Sequence, residues 1–204
     1  MKPPVVVFDL GKTLVDFDYS IAAKRIVPHC KPPADPAKFF SQHAAMLSDY
    51  ELGLLTTEQF FIHMCSASGF SGTQAEFGIF FADIFTPIQP MIDLHAELRR
   101  KKIATYIFSN TNDLAVDHIR KKFPFYTGFD GYILSYEHGY MKPSAQLYEI
   151  VERTSGRSGS DIVYIDDRAE NVDAGSARGW TAILHEDPAK TRDAIQKFGV
   201  LNQS

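Results

Sequence analysis

The hydrophobic positions of this chain fall into short unbroken runs rather than long alternations. Residues 5–8, 103–108, 132–134, 162–165 and 181–184 are apolar and largely β-branched or aromatic, and a strand apolar on both faces belongs in a sheet covered on both sides. Helix-like stretches separate the last four runs, which is βαβ spacing. The pattern predicts an α/β core: a doubly wound, Rossmann-like parallel sheet. Helix ends are legible as well. Asp187-Pro188 supplies a cap and a first-turn proline, Ser144 opens a helix over 145–151, and Gly179 and Gly199 supply stops.

The interval from residue 16 to about 88 shows no convincing strand and reads as several amphipathic helices. This predicts a helical domain, 16–88, inserted into a core made of 1–15 and 89–204. The insert is rich in phenylalanine, including Phe39, Phe40, Phe60, Phe61, Phe80 and Phe81. Such rings can stack nucleobases, but base-stacking platforms come with a basic groove, so they are read as a small helical core. Thr56 is the expected N-cap of one of these helices, and Glu58 near its start is assigned to capping.

Composition narrows the function classes. With 204 residues, 45% hydrophobic and 23% charged, the chain suits one domain or a core with a smaller insert. Lys plus Arg number 21 against 25 Asp plus Glu, a net charge of -4, so neither nucleic acid nor an anionic membrane is an expected partner. Cys30 and Cys65 lack metal-ligand spacing and read as buried thiols. The apolar run at the start is broken by Asp9, too early for a signal peptide or a membrane span. A cytoplasmic monomer or homodimer is the expectation.

Candidate chemistry lies where the strands end. In a doubly wound sheet, ligands bind at the carboxyl ends of strands near the switch point. The first run ends in Asp9, the second in Ser109-Asn110, and the fourth in Asp166-Asp167, while Lys142 follows the third. Adjacent carboxylates repel and want a cation; oxygen-only ligands suit hard Mg²⁺ better than zinc. Ser109 and Asn110 offer donors to an anionic oxygen, and Lys142 neutralises charge at the same edge. Gly11-Lys12-Thr13 echoes the end of a nucleotide-binding loop, but the required earlier glycine falls at Val6, inside a strand. The seven histidines show no metal or triad spacing; His43 is the one to test as a proton donor.

Together these four motifs resemble the haloacid dehalogenase superfamily: Val-Val-Phe-Asp9-Leu-Gly-Lys-Thr13-Leu, Ile-Phe-Ser109-Asn110, Ser135-x-Glu137-x-Gly139-x-x-Lys142-Pro143 with Tyr148, and Tyr-Ile-Asp166-Asp167 with Asn171-Val172. The resemblance implies a phosphatase in which Asp9 attacks phosphorus to give an aspartyl-phosphate that water hydrolyses. It implies Mg²⁺ on the Asp9 carboxylate, the Gly11 carbonyl and Asp167, with Asp166 direct or one step behind. Ser109 and Lys142 would grip the phosphoryl group. The insert corresponds to the family's cap, which closes over the site and selects a small phosphorylated metabolite. Its Tyr50-Glu51-Leu-Gly53 segment resembles the turn that many relatives point toward the site, which makes Glu51 a candidate substrate contact.

The sequence departs from the family pattern at Gly11, where most of its phosphatases carry a second Asp as general acid and base. That loss typically costs about 10²–10⁴-fold. One explanation is a good leaving group, such as the anomeric oxygen of a glucose-1-phosphate-like sugar phosphate; the Asp-Leu-Gly motif resembles a branch containing sugar-phosphate phosphatases. There Asn often stands in place of Lys12, which either adds charge near bound phosphate or is simply solvated. A second is 2-haloacid dehalogenase chemistry, against which the Asp166-Asp167 pair argues, because a halide leaves without metal. A third is a catalytically impaired module that binds a phosphorylated ligand or a protein.

Overall fold

A computed structural model describes residues 4–32 and 34–202. Its strands are β1 (Val5–Phe8), β2 (Val15–Phe17), β3 (Phe85–Pro87), β4 (Thr105–Ser109), β5 (Gly131–Leu134), β6 (Ile162–Asp166) and β7 (Thr181–Leu184). Five of them form one parallel sheet in the order β5-β4-β1-β6-β7. The chain thus winds outward from β1 through β4 and β5, then returns to the other side for β6 and β7. Alternate residues of β1 serve opposite faces. Val6 and Phe8 pack with Leu94, Leu98, Val116 and Ile195 from α6 (Gln89–Arg100), α7 (Asp113–Lys122) and α11 (Pro188–Lys197). Val5 and Val7 pack with Leu147, Tyr148 and Val151 of α9 (Ala145–Ser155) and with Trp180. Burial on both faces is why β1 reads as an unbroken apolar run.

The ends of these helices follow from local chemistry. Asp187 accepts the Lys190 N–H ahead of Pro188, Asn112 accepts the Ala115 N–H to start α7, and Gly179 and Gly199 take positive φ after their helices. The helix expected over 145–151 continues to Ser155 and stops at Gly156. α10 (Ala169–Ala177) follows Asp166-Asp167, and the single turn α8 (Ser135–His138) follows β5.

Between β2 and β3 lie α1 (Tyr19–Ile26), α2 (Phe39–Gln42), α3 (Ala44–Glu51), α4 (Thr57–Ser68) and α5 (Gln74–Ala82). They enclose an aromatic cluster of Phe39, Tyr50, Phe60, Phe70, Phe77 and Phe81, with Phe40, Phe61 and Phe80 half-buried against it. Tyr50 and Phe60 stack at 4.3 Å. The rings expected here to pack a core therefore do so.

Three details differ from the sequence reading. The interval 16–88 is not strand-free: β2 and β3 pair antiparallel, Val15 opposite Pro87 and Phe17 opposite Phe85, tying its two ends together. Three residues each, they are too short to show alternation. The capping box of α4 joins Thr56 to Gln59, not Glu58, which is only an exposed acid in the first turn. Cys30 is buried, but Cys65 is half-buried. Among the described residues no helix is long and apolar enough to cross a membrane.

Candidate active site

β1 lies between β4 and β6, so Asp9, Ser109 and Asp166-Asp167 emerge side by side at the carboxyl edge where the winding reverses. Lys142 reaches this edge from the loop after α8. Its Nζ donates to Asp9 Oδ1 at 2.7 Å, Asp166 Oδ2 at 2.6 Å and the Phe108 carbonyl at 2.9 Å. All three ammonium protons are thereby used, in a side chain only 2% exposed.

The two carboxylates do not share this cation equally. Asp166 also accepts from Tyr164 Oη at 2.5 Å, the Arg168 N–H at 2.8 Å and Asn171 Nδ2 at 3.0 Å. Burial raises its pKa, but Lys142 and these donors outweigh burial and leave it below the ordinary carboxylate range. Asp9 lacks those extra donors. Burial, opposed by Lys142 and reinforced by the charges of Asp166 and Asp167, pushes it up to about 7. Asp167, half-buried, is raised by burial and by Asp166. For Lys142, burial acts downward, and the two carboxylates more than reverse it.

This excess of negative charge fits a metal ion. Asp9, Asp166 and Asp167 each present a carboxylate oxygen, all within 4.8 Å of one another, and the donor set is oxygen only, as a hard divalent cation requires. Both oxygens of Asp166 already accept hydrogen bonds. Asp9, Asp167 and Gly11, which line the same cavity, are left to hold an ion through two carboxylates and a backbone carbonyl, while Asp166 holds Lys142 against Asp9.

The cavity over this edge is about 180 Å³ and joins Asp9, Gly11, Ser109 and Lys142 of the core to Glu51 from the end of α3. Glu51 is fixed by its backbone: its carbonyl accepts from Ser135 Oγ at 2.6 Å. Two residues on, Gly53 has φ +72°, and a Cβ there would lie 2.1 Å from the Tyr136 carbonyl, so the turn approaches α8 as closely as only glycine permits. Burial raises the Glu51 carboxyl to about 7, with Arg168 opposing.

The other sequence-predicted residues are placed less directly. Ser109 Oγ is buried and points to the Asn110 carbonyl at 3.3 Å. Asn110 lines the cavity, but its side chain accepts from the Lys142 N–H at 2.7 Å and donates to the Lys142 carbonyl at 3.1 Å. Lys12 also borders the cavity, yet its ammonium is tied to Asp16 and to the Phe17 carbonyl and lies 4.8 Å from the Phe17 ring centre. His43 is not among the lining residues; its Nδ1 sits 2.7 Å from the Phe39 carbonyl. Sequence reasoning missed Phe17, Tyr19, Met141 and Arg168, which complete the walls. Arg168 directly follows the Asp166-Asp167 pair, the one signal that could have exposed it.

Comparison with known proteins shows the family and the fold. The family model described as haloacid dehalogenase-like hydrolase matches residues 3–179. A D-ribitol-5-phosphate phosphatase from Bacteroides thetaiotaomicron is 23% identical over 93% of this chain and 95% of its own. A crystal structure of a HAD family enzyme from the same organism superposes with TM-score 0.82 at 21% identity, covering 94% of this chain and 99% of that one. The complex of its wild-type protein with magnesium and inorganic phosphate gives 0.74 at 20% identity, over 91% and 97%.

Proposed function

The chain belongs to the haloacid dehalogenase-like hydrolases, and on that premise we propose that it hydrolyses a small phosphomonoester of the sugar- or polyol-phosphate class through an aspartyl-phosphate on Asp9, with Mg²⁺ as cofactor. It is a phosphoric monoester hydrolase of that family. The observation that carries the reading is the meeting of Asp9, Ser109, Lys142 and Asp167 in one cavity of about 180 Å³. A volume of that size, with polar and charged walls, suits a small hydrophilic ester better than a long apolar one. The named D-ribitol-5-phosphate phosphatase and the magnesium and phosphate complex of a relative support the same class.

Asp9 is held by Lys142 through one carboxylate oxygen, so the carboxylate is oriented before substrate arrives. Its attack on phosphorus forms a P–O bond as the ester P–O bond breaks, and water later cleaves the acyl phosphate to restore Asp9. Lys142 and Ser109 offer charge and a hydroxyl donor to the phosphoryl oxygens. When bound by Asp9, Asp167 and the Gly11 carbonyl, Mg²⁺ would offset the charge of the transferring group. Asp166, saturated with hydrogen bonds, holds Lys142 in place. The helical insert serves as the cap, delivering Glu51 and covering the cavity. Halide displacement from carbon gives the paired carboxylates no task, which favours phosphorus. The test is phosphate release from a panel of sugar and polyol phosphates, with Mg²⁺ or chelator, by wild type and Asp9→Asn.

A further inference from the structure

Gly11 leaves this site without a side chain at the position where the family's phosphatases carry their acid and base, and the structure shows that the space is filled. A Cβ on Gly11 would lie 2.8 Å from Phe17 Cε1. That ring is packed against Tyr19 and Phe85, with the Lys12 ammonium over it. The wall beside the nucleophile is thus aromatic, and any proton donor has to come from elsewhere.

We propose that Glu51, carried into the cavity by the helical insert, is the general acid and base of this enzyme. The inference rests on the phosphatase reading above. Among the carboxyl groups that line the cavity, Asp9 is the nucleophile and Asp167 a metal ligand, so Glu51 is the one left to carry a proton. It faces Tyr19 on α1 and Arg168 at the start of α10, with Lys12, Lys142, Asp9 and Asp167 lining the same cavity. The Lys12 and Lys142 ammonium groups are engaged with Asp16 and with Asp9 and Asp166. Burial pushes the Tyr19 phenol far above its ordinary range. Glu51 itself sits near 7, where a carboxyl can give and retake a proton at neutral pH. The bond from Ser135 and the close approach at Gly53 lock its backbone to the core.

The proton balance closes over one turnover. As Asp9 attacks and the ester P–O bond breaks, the departing oxygen takes the Glu51 proton. The Glu51 carboxylate then takes a proton from the water that attacks the phosphorus of the aspartyl-phosphate, releasing phosphate and the Asp9 carboxylate. The acid is regenerated.

The experiment compares an alkyl ester, ribitol 5-phosphate, with an ester whose leaving group needs no proton, p-nitrophenyl phosphate, both with Mg²⁺. The readout is kcat/KM, which reports only steps through departure of the leaving group. Glu51→Gln should lose about 10²-fold or more on the alkyl ester and little on the aryl ester. With the aryl ester the variant should show a burst of p-nitrophenol, because the second step lacks its base. Glu51→Asp, which keeps a carboxyl, should recover part of the alkyl activity. Equal losses on both esters would overturn the proposal and leave the phosphatase reading standing. Wild-type silence on both esters would overturn the phosphatase reading itself, and this proposal with it.

Discussion

Asn110 brackets the backbone of Lys142, accepting from its N–H at 2.7 Å and donating to its carbonyl at 3.1 Å. The amide that follows β4 thereby fixes the residue whose ammonium joins Asp9 to Asp166. Asn110→Ala removes both bonds, a loss of about 1–3 kcal/mol, visible as a lower denaturant midpoint. Asn110→Asp, which keeps the acceptor, should fall between wild type and Ala. Equal stability of all three would show that the bracket does not position Lys142.

Lys142→Met tests the charge balance. It leaves Asp9 and Asp166 buried with no cation between them, and breaking a buried pair costs roughly 3–5 kcal/mol. In chelator the thermal midpoint should drop by about 10 °C for a chain of this size. Added Mg²⁺ should restore part of that drop, since a cation replaces some of the lost charge. A midpoint unchanged in chelator would contradict the role given to Lys142.

The aromatic wall makes its own prediction. Gly11→Asp, which restores the acid of the wider family, has to displace the Phe17 ring, so it should lose about 1–3 kcal/mol without gaining turnover on alkyl esters. Adding Phe17→Ala makes room, and the double variant should be less destabilised than the two single effects summed. Strict additivity in thermal melts would show that the two positions do not compete for space.

Much of this arrangement could be read from the sequence, and the failures have a common cause. Strand ends carry their side chains to the sheet edge by construction, so Asp9, Ser109 and Asp166-Asp167 needed only a correct strand assignment. Glu51 became a candidate through the likeness of its Gly53 turn and Thr56 helix start to the family's cap, and it does line the cavity. The β2–β3 ribbon could not be placed, because each strand is three residues long and its partner lies across the insert. Asn110 was read as a phosphate donor and Lys12 as a residue near phosphate or in solvent. What Asn110 bonds instead, the Lys142 backbone, is a tertiary contact, whereas Lys12 bonds Asp16 and the Phe17 carbonyl, near in sequence but brought within reach by the turn between β1 and β2. Neither pattern nor spacing carries that information.

His95 predicts a pH dependence of stability. It is 3% exposed, contacts Thr105 Oγ1 through Nε2 at 3.1 Å and stacks on Phe129 at 3.8 Å. Burial, helped by the charge of Arg99, depresses its pKa from 6.5 to about 4. Between those values the unfolded chain binds a proton that the native state refuses. Stability should therefore fall as pH falls from 7 toward 4 and level off below, by up to about 3 kcal/mol from this group. His95→Gln, compared with wild type in urea at several pH values, should remove that part of the slope. Parallel curves would contradict it.

The most direct test of the central claim, that Asp9 is the nucleophile of a metal-dependent phosphatase, is phosphate release from ribitol 5-phosphate and a set of sugar 1- and 6-phosphates by wild type and Asp9→Asn, each with Mg²⁺ and with chelator. The account predicts release by wild type with Mg²⁺, loss with chelator, and none from a folded Asp9→Asn. Turnover by Asp9→Asn at the wild-type rate, or wild-type turnover indifferent to chelator, would contradict it.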